Sequence, residues 1–332
     1  MKLSATCKNI ILSVAGVALL AAASLFYLKC GTVGVSWQNV FELLTAKSGS
    51  SPELLILREI RLPRLLCAAL SGAALAVSGA VLQGILRNPL ASPGIVGISS
   101  GGGVAGVIAI LLSSGNPYAV CTSTLAGALL SAFAVYALSW KNGIDPLRLI
   151  LAGVAFSSIC GAIGSTLLYI NSDKAASLLS FTVGSLSMRN FDELTAVLPF
   201  AAAGFAGAFA FSRRLDLLML GDDTARSAGL DVNISRTVLL ISASFLAASA
   251  VSISGLLGFV GLIVPHAIRL ISGAGNRRLL PVSALAGALL VVLCDTAGRT
   301  VASPAEIPAG VMTALLGPPF FLWLLLKKRS EI

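Results

Sequence analysis

From Leu65 to Leu86 the chain reads LLCAALSGAALAVSGAVLQGIL, a stretch without a single charge. A helix crossing the hydrocarbon layer of a membrane needs roughly 20 such residues. Within it Gly72, Ala76, Ala80 and Gly84 recur at every fourth position and so share one helix face. Small residues in that register let a second backbone come close, which is how helices associate in lipid, where apolar burial gives no driving force. The stretch therefore reads as a membrane helix packed tightly on others.

The flanking sequence repeats the pattern. Of 332 residues, 56% are hydrophobic and 11% charged, and the mean hydropathy is +0.93, far outside the range of a soluble domain. Further spans are expected at Ile10–Leu28, Gly94–Leu112, Tyr118–Ser139, Leu147–Ile170, Leu194–Phe211, Thr237–Leu257, Leu280–Ala297 and Ala309–Leu326. Val260–Ile271 is a shorter tenth. It must be flanked by re-entrant backbone buried in protein, or pair closely with its predecessor. The expected fold is all-α, one polytopic membrane domain over residues 1–332 with about ten transmembrane helices.

Charge sets the orientation. With both termini cytoplasmic, about fifteen Lys and Arg fall in inner loops, among them Lys141, Arg148, Arg213, Arg214, Arg277 and Arg278, against about eight outside. The net charge of +9 is thus topological and implies no nucleic acid. Two outer charges run against the rule: Arg61 and Arg64 bracket Pro63 at the mouth of the Leu65–Leu86 stretch. A reading of Met1–Ala23 as a cleaved signal peptide is set aside because nine further spans follow it.

Chemistry of its own is sparse. The cysteines at 7, 30, 67, 121, 160 and 294 have no metal-ligand spacing. No Walker-type loop occurs, and the Ser99–Gly103 run lacks the lysine of a phosphate cradle, so it reads as helix packing. The span middles hold essentially no carboxylates of the kind an ion-coupled pump requires. His266 is the one histidine, either a structural residue or a ligand to a substrate metal; no resident metal site is expected. Asp295 and Arg299 stand i, i+4 and can pair. On the fifth span Ser157, Ser158, Ser165, Thr166 and Tyr169 either line a polar pathway or pack helices.

The longest polar interval on the inner side is 212–236. Asp222 and Asp223 suit a helix N-terminus and Gly229 a helix stop, so two short surface helices with an apolar face are expected, docking another protein. On the outer side Ser172–Gly184 is half apolar, with Asn171, Ser172 and Asp173 as cap candidates for a short helix.

A resemblance joins these features. Arg61-Leu62-Pro63-Arg64, Ser71 to Ala76, Gln83-Gly84 and Arg87-Asn88-Pro89-Leu90-Ala91-Ser92-Pro93-Gly94 resemble the iron-siderophore, haem and cobalamin permease family of ABC importers, the FecCD/BtuC type. So do Leu220 to Gly229, Gly258 to Arg269, Leu279 to Ser283 and Ile307 to Gly310 with Gly317-Pro318. The resemblance implies the type II importer permease fold, in a bacterial cytoplasmic membrane with both termini inside. It implies a second permease chain, alike or different, and ABC ATPase subunits that alone bind ATP and Mg. It also implies a soluble or lipid-anchored binding protein that delivers a metal chelate, ferric siderophore first and haem or cobalamin otherwise. On this chain it assigns binding-protein docking to Arg61, Arg64 and Arg299, and ATPase coupling to Leu220, Gly221, Asp222, Ala225, Ala228 and Gly229. It places a cytoplasmic gate at Asn88, Pro89, Asn142 and Asp145. An ion-coupled secondary transporter is the alternative from another class.

Overall fold

The computed structural model describes residues 5–31, 33–45, 51–113, 116–140, 145–273 and 275–329. The long helices are α1 (Ala5–Lys29), α4 (Leu62–Ile85), α6 (Pro117–Ser139), α7 (Pro146–Ile170), α9 (Phe191–Ala210), α12 (Val232–Ser254), α14 (Asn276–Val301) and α15 (Ala309–Arg329). Between them lie α2 (Trp37–Leu44), α3 (Pro52–Leu55), α5 (Ile98–Leu112), α8 (Ala175–Val183), α10 (Ser212–Met219), α11 (Asp222–Ser227) and α13 (Val260–Ser272). Among the described residues seven helical runs are long and apolar enough to cross a membrane, and three shorter apolar helices join them. The ten correspond to the ten expected spans.

Local sequence sets many of the helix starts. Asn116 before Pro117 and Asp145 before Pro146 cap α6 and α7 with side-chain oxygens, while the proline at the first position lacks the N–H that would otherwise be orphaned. Asn190 and Glu193 form a reciprocal capping box on α9. Ser242, Ser244, Ser249, Ser252 and Ser254 of α12 are satisfied in an apolar setting by donating to carbonyls one turn back, as Ser252 does to Ala248 at 2.7 Å.

The small-residue face of α4 works as expected. A Cβ at Gly72 or Gly287 would overlap the other's carbonyl, one at Gly79 would overlap the Gly261 carbonyl, and Gly84 lies under Leu215. Hence α4 sits at the centre, most extensively packed on α14 and α12. The short α13 begins against the Gly79 level of α4 and rises about 20 Å over its thirteen residues, too little to cross. Its approach backbone is buried at Gly255 and Leu257 and comes to the surface at Gly258 and Phe259. Leu256 N–H donates to the Phe181 carbonyl (3.3 Å) and Gly310 N–H to the Gly184 carbonyl (2.9 Å), tying together the ends of α8, α12 and α15.

Three features differ from expectation. α2 and α3 are additional, and a π-turn at Ile56–Arg61 makes α3 and α4 one continuous run from Pro52. Ser172–Lys174 forms a 3₁₀ turn before α8, but no side chain caps α8; Asn171 Nδ2 donates back to the Leu167 carbonyl instead. Cover is also uneven: 11% of the α1 membrane segment and 17% of α7 are buried, against 78% for the α3–α4 run and for α12.

Candidate functional site

At the end of the bundle where α4 begins, Arg64 grips Asp295 of α14 with two parallel bonds, Nε to Oδ2 and Nη2 to Oδ1, both 2.9 Å. Its remaining Nη1 donates to Glu306 at 2.9 Å. Tyr27 donates its hydroxyl to Asp295 Oδ2 at 2.6 Å. Arg299 lies over the Tyr27 ring (3.8 Å) and pairs with Asp295 at 3.7 Å, so the expected i, i+4 pair is present within a larger cluster. Arg61 caps α1, donating to the carbonyls of Leu28 (2.6 Å) and Lys29 (3.0 Å) and beyond them to Val33 (2.5 Å).

All three arginines are more than nine-tenths buried. Arg61, Arg64 and Arg299, to which the resemblance assigns docking, are thus engaged within the chain itself. Each guanidinium is held by acceptors or an aromatic face of its own chain, because a charge at this depth needs an internal partner. The exposed basic side chain beside them is Arg58.

The opposite end, where α4 finishes, holds α10 and α11, the two short helices expected within 212–236. α10 turns Leu215 and Leu218 inward, α11 buries Ala225, and Leu220 is left 66% exposed between them. Asp223, Arg226 and Ala228 face outward. Gly221 (φ +111°) and Gly229 (φ +81°) hold backbone conformations that side chains disfavour. Leu230 N–H closes α11 on the Ala225 carbonyl at 3.0 Å, with Gly229 as the stop.

Asp222 does more than start a helix. Its Oδ1 accepts from Arg87 (2.5 Å), just past α4, and from Arg236 (2.7 Å) on α12. Arg87 has φ +49°, unusual for a side chain that is not glycine. The next residue, Asn88, accepts from Leu90 N–H at 2.9 Å and shapes the turn through Pro89. The expected gate turn is thus tied directly to the coupling segment. Arg269 and Gln83 extend the link to α13: Arg269 Nη1 donates to Gln83 Oε1 (3.2 Å), and Gln83 Nε2 to the Leu262 carbonyl (3.3 Å). Of the other gate residues, Asp145 caps its own helix, accepting from Leu147 N–H at 2.8 Å, and Asn142 lies outside the described residues.

The pathway serines divide. Ser157 and Ser165 line a cavity of about 240 Å³ between α5 and α7, together with Ser100, Thr182 and Leu256. Ser158 and Thr166 turn to the uncovered side of α7, each bonded to a carbonyl one turn back, and Tyr169 is 87% exposed. On the same helix Gly153 packs against Ile95 and Val96, while Gly161 faces open space. Ser100 went unnoticed within the Ser99–Gly103 run, whose glycines pack on Ser131, Ala128 and Leu256.

A second hollow, of about 650 Å³, lies beside α8 and is lined by Lys174, Ser177, Ser180, Ser187, Arg189 and Asn190 among others. Sequence reasoning missed it because its residues come from four separate segments. His266 stacks edge-on to Phe320 with ring centres 6.4 Å apart. Among the described residues no three His, Cys, Asp or Glu side chains group as metal ligands.

The profile of the FecCD transport family matches residues 19–327. The chain belongs to that family. It is 45% identical to the cobalamin import system permease BtuC of Halobacterium salinarum, over 81% of this chain and 73% of that one. With the hemin transport permease HmuU of Yersinia pestis it shares 42% over 82% and 83%. With the Fe(3+) dicitrate permease FecD of Escherichia coli it shares 38% over 93% and 96%. A solved metal-chelate type ABC transporter in an inward-facing conformation superposes with a TM-score of 0.83 at 34% identity, covering 95% of this chain and 98% of that one. As a FecCD protein the chain is an all-helical ABC-importer permease of the membrane, and its two hubs lie at opposite ends of the FecCD bundle.

Proposed function

We propose that this permease carries a metal chelate, ferric siderophore before haem or cobalamin, across the bacterial cytoplasmic membrane, with both termini inside. The observation that carries the reading is the coupling segment: a rigid pair of short helices offering Leu220 outward while Asp222 ties them to the gate turn. ABC ATPase subunits, which bind ATP and Mg, dock on that face. Their closure moves α10 and α11, and Asp222 passes the movement to the Arg87–Pro89 turn and α12. The chain supplies no ATP chemistry of its own.

A second permease chain, alike or different, covers α7. That helix leaves Ser158, Gly161 and Thr166 uncovered among Leu151, Ile159 and Ile163, so small and hydroxyl residues suited to helix contact interleave with apolar ones. The cavity at Ser157 and Ser165 then opens on the pathway between the two chains. The serine, Lys174 and Arg189 lining beside α8 suits an oxygen-rich anionic chelate. A soluble or lipid-anchored binding protein docks over the end where α4 begins. Arg61, Arg64 and Arg299 hold that platform in shape, and Arg58 supplies outward charge to steer the encounter.

The test is Leu220→Glu. Stability should stay within about 0.5 kcal/mol, as for most exposed positions, while the ATPase no longer co-purifies and nucleotide-driven uptake into proteoliposomes stops. A variant that still holds the ATPase refutes the assigned face. Uptake against a gradient by the wild-type chain without ATPase would favour secondary transport instead.

A further inference from the structure

Where α9, α10 and α14 meet, at the same end as Asp222, lies an open hollow of about 610 Å³, lined by Phe209, Ala210, Ser212, Arg213, Arg277 and Pro281. Neither the coupling face nor the pathway uses it. Its walls differ in chemistry. Phe209 and Ala210 finish a membrane helix and Pro281 lies in the second turn of another, so the side toward the bilayer is apolar. Arg213 and Arg277 stand in the first turns of α10 and α14, both exposed.

Neither guanidinium has a carboxylate partner among the described residues. Asp216, the acid on α10, is engaged by the backbone N–H (2.9 Å) and side-chain amide (2.7 Å) of Asn276. The Ser212 hydroxyl donates to the Phe209 carbonyl. Positive-inside placement accounts for each arginine singly. It does not account for two of them converging, without counter-charge, on one apolar-walled hollow at the level where membrane helices end. A phosphodiester carrying an acyl chain matches both walls: guanidinium forks take phosphate oxygens, and basic pockets between membrane helices bind lipid headgroups.

We propose that this hollow binds the headgroup of an anionic phospholipid, with Arg213 and Arg277 on the phosphate and Phe209, Ala210 and Pro281 along the first acyl carbons. A lipid seated there bridges the starts of α10 and α14 and so reinforces the junction made by Asp216 and Asn276. The inference rests on the chain spanning a membrane and is independent of its cargo.

The test uses the full permease with its ATPase subunits in detergent, offered phosphatidylglycerol, phosphatidylcholine or inorganic phosphate, and read by native mass spectrometry and thermal unfolding. Phosphatidylglycerol should be retained and raise the unfolding midpoint, and the other two should do neither. R213Q/R277Q should weaken phosphatidylglycerol binding about thirtyfold, the Boltzmann equivalent of two arginines facing an anionic headgroup. R213K/R277K, which keeps the charge, should retain most of the binding. R148Q/R214Q removes two exposed arginines of the same end that do not line the hollow, and should change nothing. Unaltered binding in R213Q/R277Q overturns the site, and so does an equal loss in R148Q/R214Q, which would mean diffuse surface charge. Protection by inorganic phosphate alone, or lipid binding that appears only after the ATPase is removed, would overturn it as well, assigning the hollow to a free anion or to the ATPase.

Discussion

Helix α4 carries an arginine–aspartate hub at each end, and the two hubs are built differently. Where α4 begins, Asp295 is 1% exposed and receives both arms of Arg64, the Tyr27 hydroxyl and the Arg299 charge. Where it ends, Asp222 gives one oxygen to two arginines, and the Asp222 and Arg87 side chains are 27% and 39% exposed. A buried pair with bidentate geometry is costly to separate because each charge would be left without water or partner. The Arg87–Asp222 arm, partly open to water, can be released and regained at small cost while Arg236, 3% exposed, keeps the carboxylate. The first hub is suited to holding three helices still, the second to the moving joint that the proposed coupling role requires.

The largest effect should come from breaking the buried hub. Arg64→Ala leaves Asp295 buried without its bidentate partner and should cost about 3 kcal/mol or more, seen as a collapsed unfolding midpoint and low yield in detergent. Survival with near wild-type stability would show that Tyr27 and Arg299 suffice, and would erase the contrast between the ends. Next, Arg87→Gln, which breaks the more exposed arm and leaves Asp222 on Arg236, should cost only about 1 kcal/mol. ATPase co-purification should persist while coupled uptake falls, because the docking face stays and the tie to the gate turn is lost. Unchanged uptake would remove the Arg87–Asp222 arm from the transmission. The smallest effect concerns salt. Screening between low salt and about 1 M, where the Debye length is about 3 Å, should speed amide exchange in α10 and α11 while leaving the α14 segment around Asp295 unaffected. Equal responses at both ends would show the hubs to be electrostatically alike.

Much of this was readable along the chain. The stretch Leu65–Leu86 anticipated α4 at Leu62–Ile85, and Asp222 with Gly229 anticipated α11, because hydropathy and end signals are properties of neighbouring residues. α2 and α3 were missed although Ser36 and Ser51-Pro52 offered start signals, since segments of eight and four residues do not register at the scale of a membrane span. The small-residue face of α4 was visible, but not that Gly72 would meet Gly287 or Gly84 would meet Leu215.

The sequence by itself determined the solvent, the number of spans and the place of the short helices α10 and α11, each written in composition and short-range order. The tertiary structure alone decided what the arginines do. Arg64 and Asp295 are 231 residues apart, and Tyr27 and Asp295 268. A positive charge at a helix mouth looks the same in sequence whether it faces water or a carboxylate. Only the packing of α1, α4 and α14 excludes the water and supplies the carboxylate.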